Sequence, residues 1–271
     1  MNFDELFRLV DVLNTNAPTY ETEVLAEVDM ETWMATFAMN DLAAFWDGFG
    51  NPNDKNTYLY KPEQGRWGLV SWDFDVGLGV FNDPWDSELF GACVDPTVVR
   101  LYNHPPFVRH YWRTLIESVH GFFQASELTP LLAEKYQAYV DAGLTITSPF
   151  VPSGTGLSIT DWIDLRRDYI LDQIALVDAP FTASGPASSS VSLVTLTGSA
   201  PLAIKTLHVN DAPLMVSWTN TTSWAGVFVL QPGTNLVEVQ RLNGSDEVVT
   251  NVQLQIVYTG SVTWPPLRIN E

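Results

Sequence analysis

The sequence predicts an α+β protein, mainly helical in its first part with one small β-hairpin, and all-β in its second part. Three observations carry this expectation. Apolar residues recur at helical spacing before residue 46 and again in Phe107 to Phe123, Glu127 to Val140 and Trp162 to Val177. Two short apolar runs, the first Tyr58-Leu59-Tyr60, flank the turn Lys61-Pro62-Glu63-Gln64-Gly65. Beyond Ser190 the period changes to short β-rich runs, with turn signals roughly every eight to twelve residues. A chain of 271 residues suits one large or two ordinary domains, and 46% apolar content with ten Trp supports packed cores.

The elements follow in order. Leu6, Phe7, Leu9, Val10 and Leu13 repeat at helical spacing, then Val24, Leu25 and Val28, then Trp33, Phe37 and Leu42. Asp29 is placed as an N-cap, with Thr32 rather than Glu at the capping-box position. The hairpin comes next and ends on Trp72-Asp73-Phe74-Asp75-Val76-Gly77. Asp83 to Pro106 carries few periodic signals and reads as irregular. Two helices follow, Phe107 to Phe123 and Glu127 to Val140, with Pro130 expected in the first turn of the second. The last helix starts near Trp162, with Thr160 or Asp161 capping it. Thr182 to Ser190 is a run of small residues and reads as a linker, which divides the chain into domains 1–181 and 182–271. The second resembles the Ig-like β-sandwich modules appended to bacterial surface and extracellular enzymes, and carries no catalytic cluster.

The chemistry concentrates around the hairpin. In an extended chain Asp73 and Asp75 share a face, roughly 6.5 Å apart, and two carboxylates beside glycines suit a divalent cation. A lone Asp-x-Asp is more often a solvated turn, but its neighbours change the reading. Asp47 lies in Phe45-Trp46-Asp47-Gly48-Phe49-Gly50, and Asn56 stands at the mouth of the first strand. An acid in a glycine-bracketed loop, then an Asn, then a strand-end Asp is the order in which protein kinases set their base and two metal ligands. An EF-hand loop starting at Asp73 fails: Gly77 falls at the third ligand position and Pro84 where the bidentate Glu belongs.

From about Leu6 to Leu176 the sequence resembles the CotH kinase family. The pieces are Trp33-Met34-Ala35, Trp46-Asp47-Gly48-Phe49-Gly50, Asn56-Thr57-Tyr58-Leu59-Tyr60, Gly65-Arg66-Trp67-Gly68-Leu69-Val70, Trp72-Asp73-Phe74-Asp75, Phe107-Val108-Arg109-His110-Tyr111-Trp112 and Trp162-Ile163-Asp164-Leu165-Arg166-Arg167. The resemblance implies a protein-kinase-like C-lobe that moves the γ-phosphate of ATP to Ser or Thr hydroxyls of a protein substrate. It implies Asp47 as catalytic acid/base, Asn56 and Asp73 as ligands of Mg2+ or Mn2+, and Asp75 as a second or supporting ligand. It further implies a secreted or cell-surface location. One departure stands out. Kinases grip the phosphates with an N-terminal lobe of strands and a Lys. The 46 residues before Asp47 read as helices without a Gly-rich loop, so the nucleotide lobe is expected to be missing from this chain.

Composition narrows the partners. With 13 basic against 32 acidic residues the net charge is −19, which argues against nucleic acid and anionic membranes. It favours basic partners, a Ser-rich basic protein among them, or simply high solubility. Cys93 is the only cysteine, so there is neither an intrachain disulfide nor a multi-Cys zinc site. The sequence shows no 18-residue apolar run and no signal peptide at its first residues. The four histidines show no ligand spacing. Arg166 and Arg167 read as part of a charged helix face, with bracing of the Asp-rich loop as the less common alternative. Two functional classes remain: a CotH-like phosphotransferase, incomplete in this chain, and a non-catalytic surface or spore-coat-type adhesion protein that keeps the kinase-like fold.

Overall fold

The structure is a computed structural model and describes residues 3–52, 55–81, 83–90, 93–242, 245 and 247–260. Two compact units, Met1–Leu176 and Val177–Glu271, make up the chain. Among the described residues there are seven helices and three sheets, a mixed α+β composition.

The first unit contains α1 (Asp4–Asn14), α2 (Tyr20–Glu27), α3 (Met30–Leu42), β1 (Thr57–Tyr60), β2 (Gly68–Ser71), α4 (Pro96–Tyr102), α5 (Pro105–His120), α6 (Ala125–Asp141) and α7 (Ile159–Val177). Helix α3 is its centre and packs on both α5 and β2. It buries Trp33, Met34, Phe37, Ala38 and Leu42, while α5 buries Phe107, Tyr111, Leu115 and Val119 along one stripe at four-residue spacing. Each large side chain removed from water here contributes about 1.5–3 kcal/mol. Asp29 caps α3 as expected, accepting from Thr32 N at 3.4 Å and Thr32 Oγ1 at 2.9 Å.

Strands β1 and β2 pair antiparallel, from Thr57 against Ser71 to Tyr60 against Gly68. Leu69 points into the core, whereas Tyr58, Tyr60 and Val70 lie exposed, as the two-residue strand period requires. Trp33 on α3 donates its indole N–H to Trp67 O at 2.9 Å, which pins the hairpin to the helical core.

The structure departs from the sequence expectations at four places. The stretch read as irregular contains α4, whose signal was present: Asp95 accepts from Thr97 N at 2.8 Å and Val98 N at 3.0 Å, with Pro96 at the first helical position. Helix α6 begins at Ala125, so Pro130 sits in its second turn. Helix α7 is capped by Ser158, not by Thr160 or Asp161. The Ser158 hydroxyl accepts from Asp161 N at 3.1 Å and donates to Asp161 Oδ2 at 2.6 Å.

The fourth departure is the linker. Thr182–Ser184 forms β3, paired antiparallel with Thr197 to Ser199, and Ser188–Ser189 forms β4, paired parallel with Val257 and Tyr258. Small residues carry no apolar alternation, so only the pairing partners reveal these as strands. The second unit also holds β5 (Leu193–Ser199), β6 (Thr206–Val209), β7 (Ala212–Pro213), β8 (Val216–Trp218), β9 (Ser223–Val229), β10 (Gly233–Leu242) and β11 (Val248–Tyr258). They form a five-stranded sheet, β4-β11-β10-β6-β7, and a four-stranded sheet, β3-β5-β9-β8. Val194, Leu196 and Trp224 from the smaller sheet share one core with Leu207, Val237, Val239 and Ile256 from the larger.

The segment after the hairpin reaches α7 through a close approach. Gly79 has φ +74°, and a Cβ there would enter the Trp162 ring. Gly143 also has a positive φ, +77°, with open space around it. Gly143→Ala is therefore expected to lose about 1 kcal/mol from backbone strain. Gly79→Ala should lose about 3 kcal/mol, because strain and overpacking add. Urea unfolding of the two variants checks this, and equal losses would mean that the Trp162 contact costs nothing.

Candidate active site

The site grows from the C-terminal end of α3. Ala44 takes a left-handed φ of 51°, and Phe45 N bonds back to Asn40 O at 2.8 Å. This turn sends the Phe45 ring inward, leaves Trp46 half-exposed and buries Asp47 at 5% exposure. Position 48 is glycine because a Cβ would come within 2.7 Å of the Asn40 amide.

Asn56 meets this loop at the open end of the hairpin. Its φ of 57° is left-handed, a conformation Asn tolerates better than most residues. Its side-chain Nδ2 donates to Asp47 Oδ2 at 2.9 Å, and Lys55 Nζ lies 3.4 Å from the same oxygen. Phe49 N donates to Thr57 Oγ1 at 3.2 Å, and Trp72 N to Asn56 O at 2.9 Å. The acid loop, the Asn and the end of β2 are thus joined by direct bonds.

Asp73 and Asp75 sit differently from the sequence expectation. Strand β2 stops at Ser71, Asp73 has a left-handed φ of 60°, and Phe74-Asp75 form a turn. The two acids are therefore not alternate side chains of one extended strand. Both are exposed. Phe74 packs on Phe45 with ring centroids 4.5 Å apart, because an aromatic in the turn buries surface only by folding back. The structure brings Asp47 and Asn56 into contact, ties the residue before Asp73 to Asn56, and leaves Asp75 on the turn.

Among the described residues no three His, Cys, Asp or Glu side chains cluster as a metal site. The side chains near the hairpin end that could supply oxygen donors are two carboxylates, Asp47 and Asp73, and one amide, Asn56. Such hard oxygen donors, few in number, fit Mg2+ or Mn2+, which keep several waters and bind phosphates. With Asn56 Nδ2 committed to Asp47, its Oδ1 is the atom left for a cation.

A cavity of about 780 Å3 lies beside this loop, lined by Asp41, Phe45, Trp46, Asn51, Phe81, Asp83, Glu88 and Arg166 among others. The four site residues named from sequence are not on its wall. Arg166 on α7 is 1% exposed. Its Nη1 donates to Trp85 O at 2.9 Å and to Ser87 O, and its Nη2 to Asp41 O. Burial lowers the Arg166 pKa, against the raising pull of the Asp41 carboxylate. Burial raises that of Asp41, opposed by the Tyr111 hydroxyl, which donates to Asp41 Oδ2 at 2.6 Å, and by Arg166.

Asp83 is 5% exposed, and its Oδ2 has no hydrogen-bond partner among the described residues. Its burial raises the pKa, and a hydrogen bond from the Trp46 side chain lowers it less. Trp162 donates its indole N–H to Asp83 O at 2.8 Å.

Sequence reasoning passed over Lys55, Asp41 and Asp83, and ranked bracing by Arg166 second. Arg166 did have a signal: it lies on the stripe Trp162, Ile163, Ile170 and Ile174 that α7 buries. Lys55 has no periodic context, and only the loop geometry places it at Asp47.

The family model described as CotH kinase protein matches residues 2–143, just over half of the 271 residues. No curated protein matches the chain. The matched region spans α1 to α6 and includes Asp47, Asn56, Asp73 and Asp75, whereas α7 lies beyond it.

The Asp83 environment predicts a pH effect. A raised native pKa means the folded state binds the proton more tightly than the unfolded state, whose value is near 3.8. The stabilisation is complete below that value and is lost as pH rises through the native one. Asp83→Asn cannot ionise, so its stability relative to the wild type should grow from about pH 4 to about pH 8. Urea unfolding across that range checks the sign, and a constant difference would remove Asp83 as the titrating group.

Proposed function

The chain belongs to the CotH kinase family, and from that premise we propose that its first unit is a phosphotransferase. It would transfer the γ-phosphate of ATP to Ser or Thr hydroxyls of a protein, using Mg2+ or Mn2+. The observation that supports this reading is the contact between Asn56 and the buried Asp47, together with the bond from Trp72 N to Asn56 O. The excess of 32 acidic over 13 basic residues supports a basic protein as acceptor, a Ser-rich one included. The family's spore-coat context supports a secreted or surface location. No helix among the described residues is long and apolar enough to cross a membrane.

Asp47 accepts the proton of the acceptor hydroxyl and orients its oxygen for in-line attack. Its burial strengthens that interaction, since fewer waters screen the carboxylate. Asn56, through Oδ1, and Asp73 would hold the ion, with Asp75 on the adjoining turn in support, and the ion would supply positive charge to offset that of the phosphates. Lys55 Nζ adds a positive charge 3.4 Å from Asp47 Oδ2. The second unit, an Ig-like sandwich from about residue 182, would serve as an accessory or spacer module.

Calorimetry with Mn2+ tests the metal assignment: binding to the wild-type chain and at least about tenfold weaker binding to Asp73→Ala are expected. Equal binding by both would sink it. With labelled ATP, Mn2+ and a Ser-rich basic protein, transfer by this chain should be weak, because the elements described before Asp47 are helices rather than a phosphate-gripping lobe, and Asp47→Ala should reduce it further by about 100-fold or more. Transfer that survives this change would place the base elsewhere.

A further inference from the structure

One side chain beyond the family match connects the walls around the site. Arg166 reaches Asp41 O on one side and Trp85 O and Ser87 O on the other. Asp41 O also accepts from Ala44 N at 3.0 Å, and Ala44 makes the left-handed turn that leads to Asp47. Leu78 N then donates to Ala43 O at 2.9 Å, which ties the segment after the hairpin to the same turn. One helical turn before Arg166, Trp162 holds Asp83 O, and its ring fills the space beside Gly79. Two successive turns of α7 thus grip the loop that carries Asp47 and the loop 79–90 behind it. Carbonyls on two sides suit a planar guanidinium, whose two terminal nitrogens donate in different directions, whereas the three donors of a lysine all sit on one nitrogen.

Building on the phosphotransfer reading, we propose that Arg166 is a positioning residue for Asp47. By pinning the Asp41 carbonyl to those of Trp85 and Ser87, it fixes the turn at Ala44 and so the distance from Asp47 to Asn56 and the ion. The residue touches neither substrate nor ion and acts through the backbone. Without the fork, the turn at Ala44 keeps its own short hydrogen bonds and the one from Leu78 N, but loses its tie to Trp85 and Ser87, and Asp47 samples positions away from Asn56.

Arg166→Lys in the full chain tests this, because it keeps a positive charge near Asp41 while losing the fork. Arg167→Lys is the control: Arg167 Nε donates to Val119 O and contacts neither loop. Hydrogen exchange followed by mass spectrometry should speed up about tenfold or more in peptides covering Ala44 to Gly50 and Ser87 to Phe90, with α3 and α5 unchanged. Affinity for Mn2+ should fall about tenfold in Arg166→Lys and stay at the wild-type value in Arg167→Lys. Unchanged exchange in both loops would overturn the clamp. Faster exchange with wild-type Mn2+ affinity would overturn the positioning role. A wild-type chain that binds no Mn2+ would overturn the phosphotransfer reading, while the exchange data still decide whether the clamp exists. If Arg166→Lys loses its cooperative melt, Trp162→Phe takes its place. That change removes the N–H to Asp83 O and part of the ring beside Gly79, and should loosen the same two loops to a smaller extent; no loosening would overturn the clamp.

Discussion

A guanidinium that is 1% exposed sets the conditions for everything around it. Taking a charge out of water costs several kcal/mol, and a protein keeps it buried only where hydrogen bonds and an opposite charge replace the lost hydration. Around Arg166 the replacements are three backbone carbonyls and the nearby Asp41 carboxylate. Trp85 and Ser87 lie in a segment with no regular structure and no ladder of its own, and Asp41 stands in the last turn of α3, where helical carbonyls run out of intrahelical partners. The cost of burying Arg166 therefore becomes a constraint on loop geometry, and the loops it constrains are those beside Asp47.

The buried aromatics serve the same end. Phe90 lies 4.3 Å from the Tyr111 ring and 4.7 Å from the Tyr102 ring, while its N–H bonds to Asp41 Oδ2 at 3.3 Å. Helix α5 thus contributes a hydroxyl to Asp41 through Tyr111 and an apolar seat to the loop through the same ring. The pKa of Tyr111 is held well above its usual value, by burial first and by Asp41 second, so it stays a donor to that carboxylate. Packing and hydrogen bonding are not separable here. Removing either one releases the end of α3, where the acid loop begins.

Electrostatics divides the first unit into an outer and an inner part. Most of the acidic residues described in this unit face solvent, where they raise solubility or draw basic partners. Asp47 is different, because its buried carboxylate needs the Asn56 amide and the Lys55 ammonium. The Asn56 amide and the half-exposed Lys55 ammonium both meet Asp47 Oδ2, and a stronger cation can displace the ammonium from that oxygen. This is the physical basis for reading the hairpin end as a site rather than as a structural knot.

Much was legible in the sequence because it depends on local periodicity. Trp33, Phe37 and Leu42 mark α3, Phe107 to Phe123 marks α5, and the alternation around the Lys61 to Gly65 turn marks the hairpin; the residue types alone also single out Asp47, Asn56 and Asp73. Other features were decided by tertiary structure. Thr182 to Ser190 reads as a linker until β5 and β11 supply the partners that make strands of it. Asp73 and Asp75 read as one strand face until β2 ends at Ser71 and Phe74 folds onto Phe45. Arg166 reads as a surface charge until α7 turns it toward carbonyls 79 to 125 residues away in sequence. Helix and strand periods are local properties of the chain, so the sequence by itself determined the strongly periodic elements and the candidate residues they position. Where a carboxylate finds its amide and a guanidinium its carbonyls depends on contacts between distant residues, and only the packed structure decided those.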